Sequence, residues 1–492
     1  MGDVVAAVGE PAAQPLPAVT GVTLSSQRVR PGDLYVALPG ASVHGARFAA
    51  AAVSAGAVAV LTDAQGAAML GAETGVPVLV TPSPRGILGR VAAQVYGSPA
   101  ERLTLLAVTG TQGKTTTTRL LEAAMSGAGI AAAAIGTVGT RIAGADVKTA
   151  LTTPESPDLH GLFARMVEEG VEVCAMEVSS HALVMGRVDG VVFDVAAFVN
   201  LGRDHLDFHT DMEDYFAAKA SLFTPERARR GLTNIDDEYG RRLLEVAGIP
   251  MLTFSLEDGA ADWSATQIVE STDGSTFLAR GPGGLEAQVR VPIPGRFNVA
   301  NALCALALAG EAGLDVHAIA AAMADVPGVP GRLERIDSGQ GFLAVVDYAH
   351  KPDAVAAAIA ALRPMTTGRL IVVLGAGGDR DRGKRPLMGR IAAELSDVVI
   401  VTDDNPRTED PGSIRAEVVA GARDADAGIA EVREIGGRRA AIREAIDLAG
   451  PGDTVLVAGK GHETGQEIDG VVHPFDDRDE VRAALAARGA GR

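Results

Sequence analysis

Short apolar runs recur along the chain, and alanine-rich stretches separate them. Leu34–Leu38 and Val58–Leu61 come first, then Leu103–Val108, Val171–Val178 and Val195–Val199. A last set comprises Phe342–Val346, Leu370–Leu374, Val398–Val401 and Thr454–Val457. Runs this short, bounded by turn residues, read as strands. The segments Leu120–Met125, Asp353–Leu362 and Ile391–Leu395 read as helices. The alternation predicts an α/β fold with parallel sheets covered on both faces. In such sheets, ligands bind beyond the carboxyl ends of the strands. Nearly every unusual polar cluster in this chain directly follows a predicted strand.

Two breaks interrupt the pattern. Tyr96-Gly97-Ser98-Pro99-Ala100 reads as a loop, and Val326-Pro327-Gly328-Val329-Pro330-Gly331 is the clearest linker signal. They divide the chain into 1–98, 99–328 and 329–492. A length of 492 residues agrees, since a domain takes roughly 100–200. No low-complexity tract or repeat is evident.

Composition narrows the possible partners. The chain is 47% hydrophobic and 22% charged, the balance of a globular protein. Its 44 Lys and Arg against 62 Asp and Glu leave a net charge of −18. That argues against a general nucleic-acid or anionic-membrane binder, which needs a positive field. An anionic small molecule stays possible where cations gather in one pocket. Cys174 and Cys304 cannot build a disulfide framework and read as buried apolar residues. No run reaches the ~18 apolar residues of a membrane span. The first residues lack the cationic start of a signal peptide, and Ala6 stands where a myristoylation signal has Ser or Thr. A cytoplasmic protein is expected.

Three clusters carry chemistry. Gly110-Thr111-Gln112-Gly113-Lys114-Thr115-Thr116 lies between a predicted strand and a predicted helix. Its glycines let backbone N–H groups close around phosphate at a helix N-terminus. Lys114 would reach the terminal phosphates, and the Thr115 hydroxyl would help to hold magnesium. Val108 stands where the full P-loop pattern has its first glycine. The second cluster comprises Glu177–His181 and Asn200–Asp207, which follow two further strands and should converge on the same magnesium. A carboxylate such as Glu177 suits a hard cation. The third is Lys219, a lone cation in an apolar helical context. Spacing alone favours a snorkelling surface lysine; burial near other cations would instead lower its pKa and free the amine.

These motifs, in this order, resemble the Mur ligases, the ATP-dependent amide-bond-forming enzymes of peptidoglycan precursor assembly. The resemblance rests on Gly110–Thr116, Thr152-Thr153-Pro154-Glu155, Met176–Leu183, Asn200–His209, Gly295–Leu303, Asp347–Pro352, Gly375–Pro386, Asp404–Arg407 and Gly459–Glu463. It implies a smaller N-terminal α/β UDP-binding domain, a central P-loop ATPase with a parallel sheet, and a C-terminal Rossmann-like domain that brings the amino acid. It implies that Gly110 to Thr116, with Asn298, Asn301, Asp347 and His350, bind ATP. Lys114, Lys219, His205 and Glu177 become the catalytic set, with Thr115, Glu177, His205 and a CO2-derived carbamate on Lys219 around Mg2+. Leu24, Ser26, Ala41, Ser42, Val43, Thr152, Thr153, Ser179 and Arg187 match the UDP-muramoyl-dipeptide site. Ser25-Ser26-Gln27 departs from the Asp-Ser-Arg common in the family.

The added amino acid is read from Asp404-Asn405-Pro406-Arg407 after the strand Val398–Val401. Arg407 offers a planar fork for a carboxylate. Diaminopimelate has one at its far end and lysine does not. The resemblance agrees, with Arg380, Gly459 and Glu463 as partners. The plainer alternative is a turn in which Arg407 pairs with Asp403 or Glu409. Expected partners are small-molecule substrates only, for a monomer without membrane insertion. The rival classes are a non-catalytic P-loop switch and, among enzymes, ligases adding lysine, D-Ala-D-Ala or glutamate to folate.

Overall fold

The computed structural model describes residues 17–40, 42–71, 74–271, 273–425 and 430–490. Ala41 lies outside them.

Four parallel strands, Gly21–Thr23, Asp33–Val36, Ala59–Thr62 and Val78–Val80, form the first sheet. Successive side chains on a strand point to opposite faces. Leu34 and Val36 therefore pack with Leu88 and Val91 of the helix Pro84–Val95 on one face. Tyr35 and Val60 meet Ala49 and Ala52 of the helix Ala49–Ser54 on the other.

Eleven strands form the second sheet. Its centre is parallel, with Val195–Phe198, Thr104–Thr109, Val173–Glu177 and Ala132–Gly136 side by side. Leu106 and Val108 face the helices Lys114–Gly127 and Arg296–Glu311, while Leu105 and Ala107 face a second core around Phe163 and Phe198. Both margins turn antiparallel. Trp263–Ser271, Gly274–Gly281 and Leu285–Val291 extend one edge, and Gly139–Ile142 and Ala145–Val147 the other. The sheet is therefore mixed, where parallel pairing is expected throughout. The reason is visible in Leu285-Glu286-Ala287-Gln288-Val289-Arg290-Val291, whose strict alternation marks a strand wet on one face.

The third sheet orders Glu334–Arg335, Leu343–Asp347, Thr454–Ala458, Leu370–Leu374, Val398–Val401 and Glu431–Glu434. All pairs are parallel except the first. Among the described residues, no helix is long and apolar enough to cross a membrane.

Candidate active site

The carboxyl ends of the second and third sheets face each other across two cavities. One, of about 660 Å³, is lined by Thr111 to Thr116, Thr152, Thr153, Glu177, Ser179, Arg187, His205, Asn298, Asn301 and Asp347. The other, of about 400 Å³, is lined by Arg380, Asp404, Asn405, Arg407, Gly459 and Glu463. His181, His205, Tyr348, His350, Lys351 and Arg380 line both, so the two spaces share one wall. Of the residues expected to read the amino acid, only Pro406 is not in the lining. Leu24, Ser26, Ser42, Val43, Gly110 and Lys219 line neither cavity, the last two lying behind the P-loop.

The P-loop is held from outside itself. Asn200 follows the strand Val195–Phe198, and its Oδ1 accepts from the N–H groups of Thr111 (3.1 Å) and Gln112 (2.9 Å). Gly113 has φ +85°, and a Cβ there would stand 2.4 Å from Asn301 Oδ1, so close packing and backbone hand both demand glycine. Asn301 in turn donates to Asn298 Oδ1 at 3.0 Å.

Positive charge accumulates around this loop. Lys114 Nζ donates to the Gly110 carbonyl at 2.7 Å. Burial, opposed by Glu177, lowers its pKa to about 8. Lys219, 1% exposed, donates to the same carbonyl at 2.9 Å, with its ammonium 4.7 Å from the centre of the Tyr215 ring. Burial, and then the charges of Lys114 and Lys351, hold its pKa well below the lysine range. Lys219 is not a snorkelling surface lysine. Arg332 adds another cation, donating to Thr115 Oγ1 at 3.1 Å.

Glu177 accepts from Thr137 N at 2.8 Å and from its hydroxyl at 3.0 Å. His205 takes the left-handed backbone conformation, φ +53°, and its Nε2 lies 2.9 Å from Asp204 Oδ2. The same carboxylate pairs with Lys351, which stands at the N-cap of the helix Pro352–Leu362 just beyond the third-sheet strand Leu343–Asp347. Burial opposes ionisation of Asp204, but the hydrogen bonds and charges of His205 and Lys351 prevail and hold its pKa far below the carboxylate range. Burial keeps His350 neutral, near pKa 3, and its Nδ1 sits 2.7 Å from the Tyr348 carbonyl.

Among the described residues, no three His, Cys, Asp or Glu side chains converge as a ready metal cage. Magnesium does not need one, because it keeps several waters and is held by one or two carboxylates plus substrate phosphates. Thr115, Glu177 and His205 on one cavity wall fit that demand.

The second cavity is built differently. Asn405 donates to Glu463 Oε2 at 3.0 Å, and the fully buried Lys460 donates to both Asn405 Oδ1 (2.8 Å) and Glu463 Oε2 (3.1 Å). Beneath them, Arg438 and Asp477 form a buried ion pair at 2.6 Å, and Arg438 also donates to the carbonyls of Asp403 and Ala458. Gly459 has φ +125°, and a Cβ there would approach Asp404 Oδ2 to 2.6 Å. Arg407 pairs with neither residue of the plainer alternative. Asp403 is taken by Arg415 and Glu409 by Arg385. Arg407 Nη1 instead donates to the Gly378 carbonyl at 2.6 Å, and Nε lies 3.2 Å from Glu467 Oε2.

On the flank of the larger cavity, Thr153 donates its hydroxyl to the Glu177 carbonyl at 2.9 Å, and Arg187 pairs with Glu155 at 2.9 Å. Sequence reasoning quoted Asn200 and Lys351 within motifs but gave them no role. Lys460 likewise stood inside the motif Gly459–Glu463 without a role, whereas Arg438 lay outside every motif and its burial is visible only in the fold.

Comparison with known proteins agrees with this architecture. The Mur ligase middle domain matches residues 108–309, the glutamate ligase domain 331–461, and the Mur ligase family catalytic domain 18–96. A UDP-N-acetylmuramoyl-L-alanyl-D-glutamate–2,6-diaminopimelate ligase of Streptomyces avermitilis is 55% identical over 95% of this chain and 92% of its own. One of Corynebacterium glutamicum is 51% identical over 96% and 92%. A solved structure of a ligase of that name is 36% identical, covers 98% of this chain and 97% of its own, and has a TM-score of 0.68. The MurF ligase from Thermotoga maritima in complex with ADP, at 18% identity over 96% and 99% with a TM-score of 0.66, shares the fold. With three matching domains and full-length relatives above half identity, the chain belongs to the Mur ligase family.

Proposed function

We propose that this chain is the ATP-dependent ligase that adds meso-2,6-diaminopimelate to UDP-N-acetylmuramoyl-L-alanyl-D-glutamate in peptidoglycan precursor biosynthesis. The observation that carries the reading is the shared wall. A cation-lined P-loop cavity and a cavity lined by Asp404, Asn405, Arg407 and Glu463 meet at six residues. A phosphate-activated carboxylate and an amine must meet in just such a place.

In this reading, the γ-carboxylate of the D-glutamyl residue attacks the γ-phosphorus of ATP, giving an acyl phosphate and ADP. The amine then attacks the acyl carbon, and phosphate leaves. Catalysis is then mainly positioning and charge stabilisation. Gly110 to Thr116 cradle the phosphates and Lys114 neutralises them. In this reading Asn298 and Asn301 would contact the base, while Asp347 and His350 would bring the third sheet to the nucleotide. Magnesium, held by Thr115, Glu177 and His205, supplies further charge neutralisation when bound. Lys219 is buried with its pKa held well below the lysine range, which favours the free amine that CO2 addition requires, and Lys114 and Lys351 favour an anion there. Thr152, Thr153, Ser179 and Arg187 take the peptide end of the UDP substrate. Leu24, Ser26, Ala41, Ser42 and Val43 take its uridine end.

The three blocks 1–98, 99–328 and 329–492 serve the UDP substrate, ATP and the amino acid in turn. In this reading the protein acts as a monomer in the cytoplasm. The test is an amino-acid panel with the UDP-muramoyl dipeptide and ATP. ADP release that depends on meso-diaminopimelate, with carboxylate oxygen label appearing in the released phosphate, is expected. Equal use of diaminopimelate and lysine refutes the assignment.

A further inference from the structure

The strands Gly465–Ile468 and Val471–Pro474 form a two-stranded ribbon that joins no larger sheet. Such a ribbon is marginal alone and needs something to pack against. Here it is stitched to the loop that reads the amino acid. Arg407 N donates to the Glu467 carbonyl at 3.1 Å, and Asp469 N returns a bond to the Arg407 carbonyl at 2.7 Å. Glu467 N donates to Asn405 Oδ1 at 3.0 Å, and Gln466 Nε2 to the Asp404 carbonyl at 2.6 Å. This clamp fixes Arg407 through its main chain, while Gly378 fixes its guanidinium. The half-exposed Glu467 carboxylate, 3.2 Å from Arg407 Nε, is thus one hold on the arginine among several. What it adds is charge.

That charge acts on the far end of the incoming amino acid. Diaminopimelate presents an ammonium and a carboxylate there, with no net charge, whereas lysine presents a bare ammonium. An anion beside Arg407 repels the carboxylate that Arg407 attracts and draws in the ammonium of lysine. We infer that Glu467 is a specificity-determining residue that moderates the preference for diaminopimelate, acting through the field of Arg407. The inference rests on the proposed function and names a further determinant of the same site.

The experiment compares kcat/KM for diaminopimelate and for lysine in the parent, Glu467→Gln, Glu467→Lys and Glu467→Asp, with the full-length chain. In Glu467→Gln the diaminopimelate-to-lysine ratio should rise about three- to tenfold, the size expected of one charge acting at short range in a medium between protein and water. Glu467→Lys should raise it further, and Glu467→Asp should keep the parent ratio. The gain should lie in KM rather than kcat. A residue that merely braced Arg407 would give the opposite sign, because its loss would weaken diaminopimelate binding. An unchanged or lowered ratio in both Glu467→Gln and Glu467→Lys overturns the inference. Failure of the parent to use diaminopimelate overturns the functional reading instead, before any variant is made.

Discussion

The two cavities solve opposite problems. Around the P-loop, Lys114, Lys219 and Arg332 donate only to carbonyls and a hydroxyl, and burial pulls both lysines below their ordinary pKa. Around and behind the amino-acid cavity, charges close on one another, Lys460 with Glu463, Arg438 with Asp477 and Arg407 with Glu467. The first region stores cost that a dense anion relieves on arrival. The second is already satisfied, and so discriminates by shape and by the balance of a few charges. Binding strength and selectivity are thus separated in space.

The largest break in that contrast comes at the P-loop lysines. Lys114→Ala should cost about 10²–10³-fold in kcat/KM, as removal of one preorganised electrostatic donor does, measured by coupled ADP release. Lys219→Ala should lose most activity and regain part of it with added short carboxylates. Full activity in Lys219→Ala would remove the lysine from the catalytic set.

The satisfied region should fail in stability first. Asp477→Asn leaves Arg438 charged and buried without its partner, which should cost about 3–5 kcal/mol, read from urea unfolding. Loss below 1 kcal/mol would show that the pair is solvated in practice.

Next comes Arg407→Ala. A wholly unpaired arginine would imply a large penalty when lysine binds, but Glu467 and Gly378 already partner Arg407. The expected loss of diaminopimelate kcat/KM is therefore that of a charged hydrogen bond, about ten- to hundredfold, with lysine little changed.

A pH response tests the same contrast without any substitution. The folded pKa of Lys114, about 8, lies below its unfolded value of 10.5, so the unfolded chain binds more protons between them. Stability of the nucleotide-free protein should therefore rise from pH 8 toward 10.5. ADP affinity should fall over the same range, as the cation that meets phosphate is lost. Calorimetry and scanning fluorimetry give the two slopes, and equal signs would break the comparison.

Much of this was legible from local pattern. Leu370–Leu374 and Val398–Val401 coincide with the observed strands, and Leu103–Val108 differs from Thr104–Thr109 by one residue at each end. Doubly buried strands announce themselves by unbroken apolar runs. The antiparallel margin Trp263–Val291 went unread because half-wet strands dilute their apolar content, although Leu285–Val291 alternates cleanly. The ribbon Val471–Pro474 is exposed throughout and carries no burial signal. Motif residues at strand ends were readable. Their partners were not, because the pairing of Glu467 with Arg407 spans sixty positions and depends on a register that only folding sets.

The wall shared by the cavities also bears on inhibition. A compound that fills only one space must overcome the full loss of rigid-body freedom for that site alone. One that spans His350 and Lys351 into both spaces pays that entropy once, and its second half binds at a local concentration set by the linker rather than by the solution. Resistance by substitution is then constrained, because a change in the common wall that evicts such a compound also disturbs the place where the two substrates must touch.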